Sequence, residues 1–398
     1  MKAEGECKSK MKAVRSAAAG VLVACSSVAT AAAQLAPEPM SVIETLPNPY
    51  PEEWVFAHDL NFYSLLTGRV FLVDPTSTER DVHAIADAGQ FASVSYSKDR
   101  HELYVAETFY SRGAKGDRSD FLTIYDGASF AQLEQLPLPG GKRSMSVTQP
   151  RSLQQTRDGK FLLIFNFTPA ASVSVLDLDR RALVHEITIP GCMLIYPMGD
   201  RGFGSMCGDG SFIAFDLGDD GKPLSEKKSD KIVDVDEDPV FMMAATVGDA
   251  LYFPSFNGAI QTVIPKDGAL TDGGRHRLAG PVRDTEHGAK ARPSGWQVVS
   301  SDEDGLVYVL MRPNAGEGDH KFGGSFVWAY DPQSQTVTRE LPLVANSVSI
   351  QVTGGEKPML VAANEAMHLD VYDLKSGEHL REIGGWGPAT PYTMHSVR

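Results

Sequence analysis

The sequence predicts an all-β fold, a seven-bladed β-propeller, on three observations. Strands of alternating apolar residues ending in Asp or an equivalent turn former recur seven times. They are GRVFLVD to Asp74, DFLTIYD to Asp126, ASVSVLD to Asp177, GSFIAFD to Asp216, GAIQTVIP to Pro265, GSFVWAYD to Asp331 and MHLDVYD to Asp373. A second signature, a polar turn feeding an apolar strand, precedes most of them, as in SKDRHELYVAETF (97–109) and TRDGKFLLIFNF (156–167). Finally, 37 Gly and 24 Pro in 398 residues punctuate the chain heavily, which favours many short strands over long helices. Units of about 50 residues with three or four strands each are the mark of a ring of blades. Each blade buries its faces against its neighbours, and closing the ring removes the open edges. Two stacked sandwiches are the rival architecture, and seven evenly recurring units suit them less well. The terminal Asp residues read as turn formers that cap their own backbone.

Taken in order, residues 1–33 read as an export signal. Lys2, Lys8, Lys10, Lys12 and Arg15 form a basic start, Ala17–Ala29 an apolar run, and Ala31-Ala32-Ala33 a small-residue cleavage site. Met11 would serve equally well as the start, and Leu22-Val23-Ala24-Cys25 offers a lipoprotein box as the minor alternative. The run is too short to span a bilayer, so export to the periplasm without membrane insertion is expected. Residues 34–53 carry Pro37, Pro39, Pro47, Pro49 and Pro51 and read as an extended arm with no fold of its own. Residues 54–398 hold the propeller. Within it, GCMLIYPMGDRGFGSMCGDGSFIAFD (191–216) places Cys192 and Cys207, the only cysteines after the first 25 residues, on two apolar runs separated by a Gly-rich turn. That is how neighbouring strands stapled by a bridge look, with two buried free thiols as the alternative; a bridge there would persist only in an oxidising compartment. The stretch GGRHRLAGPVRDTEHGAKARPSGW (273–296) reads as a surface excursion at one end of the ring.

The formal net charge of −14 argues against nucleic acid and anionic membranes as partners, since both favour basic patches. None of the ten His falls at HxH or HxxxH spacing, and no GxSxG elbow, phosphate loop or dinucleotide fingerprint is present. The acidic stretches Asp234–Asp238 and Asp302–Asp304 lack the closing Glu of a calcium loop and read as solvated turns. The residues alone therefore define an exported, acidic propeller without an evident catalytic centre, and the fold by itself names no function.

Several segments, in order along nearly the whole mature chain, resemble the heavy (large) subunit of the tryptophan tryptophylquinone amine dehydrogenases. They include FYSRGAKGDRSDFLTIYD (109–126), DGKFLLIFNFTPAASVSVLDL (158–178), MCGDGSFIAFDLGDDGK (206–222), RPSGWQVV (292–299) and GDHKFGGSFVWAYD (318–331). The Gly-Cys and Cys-Gly-Asp-Gly contexts look closer to the aromatic amine branch than to the methylamine branch, and Ser294 departs from a more usual Gly. The resemblance implies a seven-bladed propeller paired with a small subunit in an α2β2 heterotetramer. That small subunit carries the tryptophan tryptophylquinone and the catalytic aspartate, so no catalytic residue, cofactor site or metal site is expected in this chain. The implied reaction oxidises a primary amine to an aldehyde plus ammonia and passes electrons to a blue copper protein. By the same resemblance Cys192 and Cys207 are bonded to each other. Trp54, Trp296, Trp328 and Trp386 are core or interface aromatics, and Phe91, in DAGQFASVSYSKD, lines the substrate channel. The alternatives are a self-sufficient propeller hydrolase of lactonase type and a binding module without chemistry.

Overall fold

The fold was analysed in a computed structural model, which describes residues 44–63, 66–144, 148–280, 291–386, 389–390 and 393–398. The expected signal at 1–33, the first part of the 34–53 arm and residues 281–290 of the expected excursion lie outside the described residues. Glu44–Arg398 form one compact unit. Five four-stranded antiparallel sheets and one eight-stranded sheet build it as an all-β propeller. The first sheet orders Thr393–Ser396, Val55–Asp59, Gly68–Val73 and Val82–Ala88 from its inner to its outer edge. The C-terminal strand thus zips onto the first strand, with Val55 opposite Ser396 and Phe56 opposite His395, and the two ends of the unit share one sheet. This pairing leaves no free edge at the seam.

Expectation and structure differ at the last two sequence units. Where seven separate sheets were expected, five stand alone and the last two units run together through one 17-residue strand, Thr336–Val352. Its first part pairs with Gly324–Asp331 and its last with Met359–Asn364, both through Ser347. The physical reason lies in the segment TVTRELPLVANSVSIQV, which has no glycine to turn the chain between the two pairings. Even so, every one of the seven strand-plus-turn elements becomes the strand next to the outermost of its unit, from Gly68–Val73 to Leu369–Asp373. Strands in the middle of a blade are buried on both faces, so they read as continuous apolar runs; all six residues of Phe161–Asn166 and of Met359–Asn364 are buried. Outermost strands are solvated, as in Pro223–Lys228, where no residue is buried.

Five of the six terminal Asp residues act as the turn formers expected, while Asp216 instead accepts from Ser225 Oγ at 2.9 Å. Asp74, Asp126, Asp177, Asp331 and Asp373 each accept a backbone N–H two or three residues ahead, for example Asp179 N and Arg180 N on Asp177 Oδ1 at 3.0 and 2.9 Å. These tight turns gather at one end of the ring. Ion pairs run from turn to turn there: Arg100–Asp179 at 2.5 Å, Arg201–Asp158 at 2.5 Å, and Arg157–Asp249. Longer connections gather at the other end, including 229–244. Of the expected excursion, residues 273–277 belong to the strand Ala269–Arg277. The described end of the 34–53 segment packs on the first two sheets: Leu46 and Tyr50 are buried, and the Tyr50 ring stacks on Trp54 and Tyr96.

Candidate functional site

Phe91 opens the inner strand Gln90–Ser97 at the long-loop end, and its backbone is unusual. It holds φ +48°, in the left-handed region, at a bulge where the register slips between Gln90 and Ser93. A bulge places an extra residue on one strand and re-aims its side chain. A bulky residue adopts such a conformation only where its surroundings over-determine it. They do so here. Glu107 Oε2 accepts from Gly89 N at 2.6 Å, Arg143 Nη2 donates to the carbonyls of Gln90 and Phe91 at 3.1 and 2.8 Å, and Thr148 Oγ1 donates to Ala92 O at 2.8 Å. Gly89 is required, because a Cβ there would meet Thr108 O at 2.7 Å.

Arg143 is itself buried and held. It donates to Thr108 Oγ1 at 3.2 Å, Thr108 donates to Asp120 Oδ1 at 2.6 Å, and Arg118 bridges Asp120 at 3.0 Å and Arg143 O at 2.8 Å. Burial pulls the Arg143 pKa down to about 10, still far above neutrality, so the clamp stays cationic. Burial also raises Glu107, against the hydrogen bonds from Thr123 and Gly89 N that favour its charged form.

The half-buried Phe91 ring borders a cavity of about 150 Å³ together with Phe165, Met193, Leu194, Met242 and Trp296. Leu194 repeats the Phe91 arrangement in another sheet. It has φ +61°, sits in a register slip between Met193 and Tyr196, and its carbonyl accepts from the buried Ser205 Oγ at 2.7 Å. Two left-handed inner-strand residues thus converge on one cavity. Sequence reasoning singled out Phe91 and missed Leu194. Phe91 is marked by the family resemblance of its context, DAGQFASVSYSKD; Leu194 has no such mark.

Larger hollows adjoin this cavity. One of about 530 Å³ is floored by the Cys192–Cys207 disulfide and shares Met193 and Met242; another of about 380 Å³ shares Met242 and Trp296 and adds Phe241, Phe256 and His320. Cys192 and Cys207 lie directly opposite on adjacent strands. The long-loop end is therefore an apolar basin. Of the four tryptophans, Trp54 and Trp328 are buried in the core, Trp386 packs edge-on against Phe71, and Trp296 faces the basin. Among the described residues no group of three or more His, Cys, Asp or Glu is placed to hold a metal. The acidic stretch Asp234–Asp238 is spent on local contacts: Asp234 caps Asp236 N, and Asp238 pairs with Arg275.

Ring closure and strand order define an all-β propeller with an apolar basin at its long-loop end. Among solved structures the chain is similar to a putative 6-phosphogluconolactonase from Bacteroides uniformis, with a TM-score of 0.57 over 86% of this chain and 99% of that one at 13% identity, which carries the fold alone. The sequence matches the family described as methylamine dehydrogenase heavy chain over residues 53–395, and the chain belongs to that family. Relatives include the methylamine dehydrogenase heavy chain of Methylophilus methylotrophus, 28% identical over 83% of this chain and 80% of that protein. That of Methylobacillus flagellatus is 26% identical over 95% and 96%. These identities do not separate the methylamine from the aromatic amine branch.

Proposed function

We propose that this chain is the large subunit of a periplasmic quinoprotein amine dehydrogenase. It would form an α2β2 assembly with a small subunit bearing tryptophan tryptophylquinone. The family match over 53–395 carries this reading, and the apolar basin at the long-loop end supports it. In this reading the eight-stranded sheet works as two blades, Thr336–Val352 being the outer strand of one and the inner strand of the next, so the ring counts seven. The propeller follows a cleaved signal at 1–33 and an arm at 34–53.

The quinone of the small subunit supplies the electron sink for oxidising a primary amine, and a blue copper protein takes the electrons onward. This chain's residues exclude water and select. The basin covers the partner's reactive face, and Phe91, fixed by Arg143, walls the amine's entrance. A rigid ring at that point discriminates between amine side chains by about 1–3 kcal/mol. Phe91→Ala in the assembled enzyme is therefore expected to change the ratio of kcat/KM between a bulky amine and methylamine by about 10- to 100-fold. An unchanged ratio removes Phe91 from the channel. The reading as a whole is tested by expressing the chain with and without its small-subunit partner and measuring amine-dependent dye reduction. Activity is expected only with the partner; an isolated chain that oxidises amines overturns the assignment. Intact mass of the exported chain is expected to start at Gln34.

A further inference from the structure

A polar cavity of about 290 Å³ lies where the inner strands meet at the centre of the ring, apart from the apolar basin. Its wall carries Arg151, Arg398, His395 and the hydroxyls of Ser95, Ser300 and Ser396, and no Asp or Glu side chain. This is the reverse of the protein's overall balance of 37 basic against 51 acidic residues. Arg151 is the telling group. Its guanidinium donates only to neutral acceptors: Ala244 O at 2.7 Å, Thr246 Oγ1 at 3.1 Å and Gln154 Oε1 at 3.3 Å. Among the described residues no carboxylate comes within ion-pair distance of it, whereas Arg100, Arg157, Arg181 and Arg201 at the turn end are all paired. Burial lowers its proton affinity, opposed only by Tyr196, whose ring the guanidinium overlies at 5.8 Å, and no carboxylate offsets it. Arg398 stands 4.0 Å from Glu303, and His395 Nε2 has no hydrogen-bond partner. A guanidinium withdrawn from water without a counter-charge is unfavourable, and an anion beside it removes that penalty.

We propose that the central cavity is a binding site for a small oxyanion, with Arg151 as its principal ligand and the neighbouring hydroxyls completing the set. Inorganic phosphate or sulfate and a short dicarboxylate share the chemistry required: compact size and two or more acceptor oxygens for a guanidinium fork. The site is independent of the amine dehydrogenase reading, because its proposed ligands, Arg151 and the hydroxyls, line neither the Phe91 cavity nor the basin.

The test follows thermal unfolding of the mature chain in sodium sulfate, phosphate and succinate against sodium chloride at matched ionic strength. Specific binding raises Tm with the logarithm of anion concentration above Kd, whereas general salt stabilisation rises linearly and needs no Arg151. The logarithmic rise is expected in the wild type, with binding weakened about tenfold or more in Arg151→Gln. The control Arg157→Gln, at the turn end, is expected to bind as the wild type does. A linear rise shared by all three proteins overturns the proposal. Should Arg151→Gln fail to fold, calorimetric titration of the wild type with phosphate decides. A one-to-one isotherm competed by sulfate supports the site as inorganic and one competed only by succinate as carboxylate-binding, while absence of competable binding overturns it.

Discussion

The two ends of the ring solve the same problem with opposite chemistry. At the turn end the reversals are short, several are capped by an Asp accepting local N–H groups, and ion pairs such as Arg100–Asp179 tie some of them together. At the long-loop end the inner strands bulge, two side chains are held in left-handed conformations, and the surface is hollow and apolar around Met193, Met242 and Trp296. The first arrangement is satisfied within the chain, by local caps and by ion pairs between neighbouring turns. The second is held by groups distant in sequence, and its apolar surface stays exposed until something covers it. Function is therefore to be sought at the long-loop end, and stability at the turn end should be spread over many small contributions.

The largest expected effect falls on neither end but on the seam that joins them. His58 and His395 lie on the paired strands that close the ring, and neither His58 nitrogen has a hydrogen-bond partner among the described residues. Burial, with His395 and Arg143 adding repulsion, holds the His58 pKa down to about 3, and burial holds His395 down to about 4. Both lie below the ordinary value near 6.5, so at intermediate pH the unfolded chain binds more protons than the folded one. Stability from these groups is complete above pH 6.5 and is lost as pH falls toward 4, at about 1.4 kcal/mol per pH unit for each histidine. Urea midpoints at pH 7.5 and pH 5 should thus differ by an amount equivalent to about 4 kcal/mol at most. His58→Gln is expected to shallow the slope. A midpoint flat between pH 7.5 and 5 would show that the seam is not the acid-sensitive part. Asp179, held below the ordinary carboxylate range by Arg100, does not enter this window.

Next in size is the clamp behind Phe91. Arg143→Ala leaves the carbonyls of Gln90 and Phe91 and the Thr108 hydroxyl without their donor, and is expected to destabilise by about 3 kcal/mol in urea unfolding. Removing the Cys192–Cys207 bridge, which closes a separation of 15 residues, should have a similar effect of about 3 kcal/mol through the unfolded chain. Phe91→Ala, by contrast, removes a half-buried ring and leaves the clamp in place. A large stability loss from Phe91→Ala with little from Arg143→Ala would reverse the roles given to ring and clamp.

The same contrast explains what was legible in the sequence. Elements governed by local rules could be read directly: alternation ending in Asp, or in Pro265 in one unit, located a strand in each of the seven sequence units, and apolar runs flanking a Gly-rich turn marked the strands that place Cys192 opposite Cys207. Features set by contacts distant in sequence could not. Nothing in DAGQFASV shows that Arg143, 52 residues on, holds Phe91 in a left-handed conformation, and nothing near Leu194 announces its bulge. The continuous strand Thr336–Val352 is of the same kind: it pairs with Gly324–Asp331 on one side and Met359–Asn364 on the other, a pairing fixed by partners that no local pattern names.

The smallest effects should come from the turn end, and their smallness is the point. Asp177 accepts two backbone N–H groups, so Asp177→Ala is expected to remove about 1 kcal/mol. Arg157→Ala breaks a solvent-exposed pair with Asp249 and should remove under about 1 kcal/mol, vanishing in high salt. Because Asp126 and Asp177 cap separate turns and accept from no common donor, combining Asp126→Ala with Asp177→Ala should add to within about 0.5 kcal/mol in urea unfolding. Strong non-additivity between these distant turns would mean that the turn end is a coupled network like the Arg143 clamp. The division between a locally satisfied end and a remotely held one would then fail.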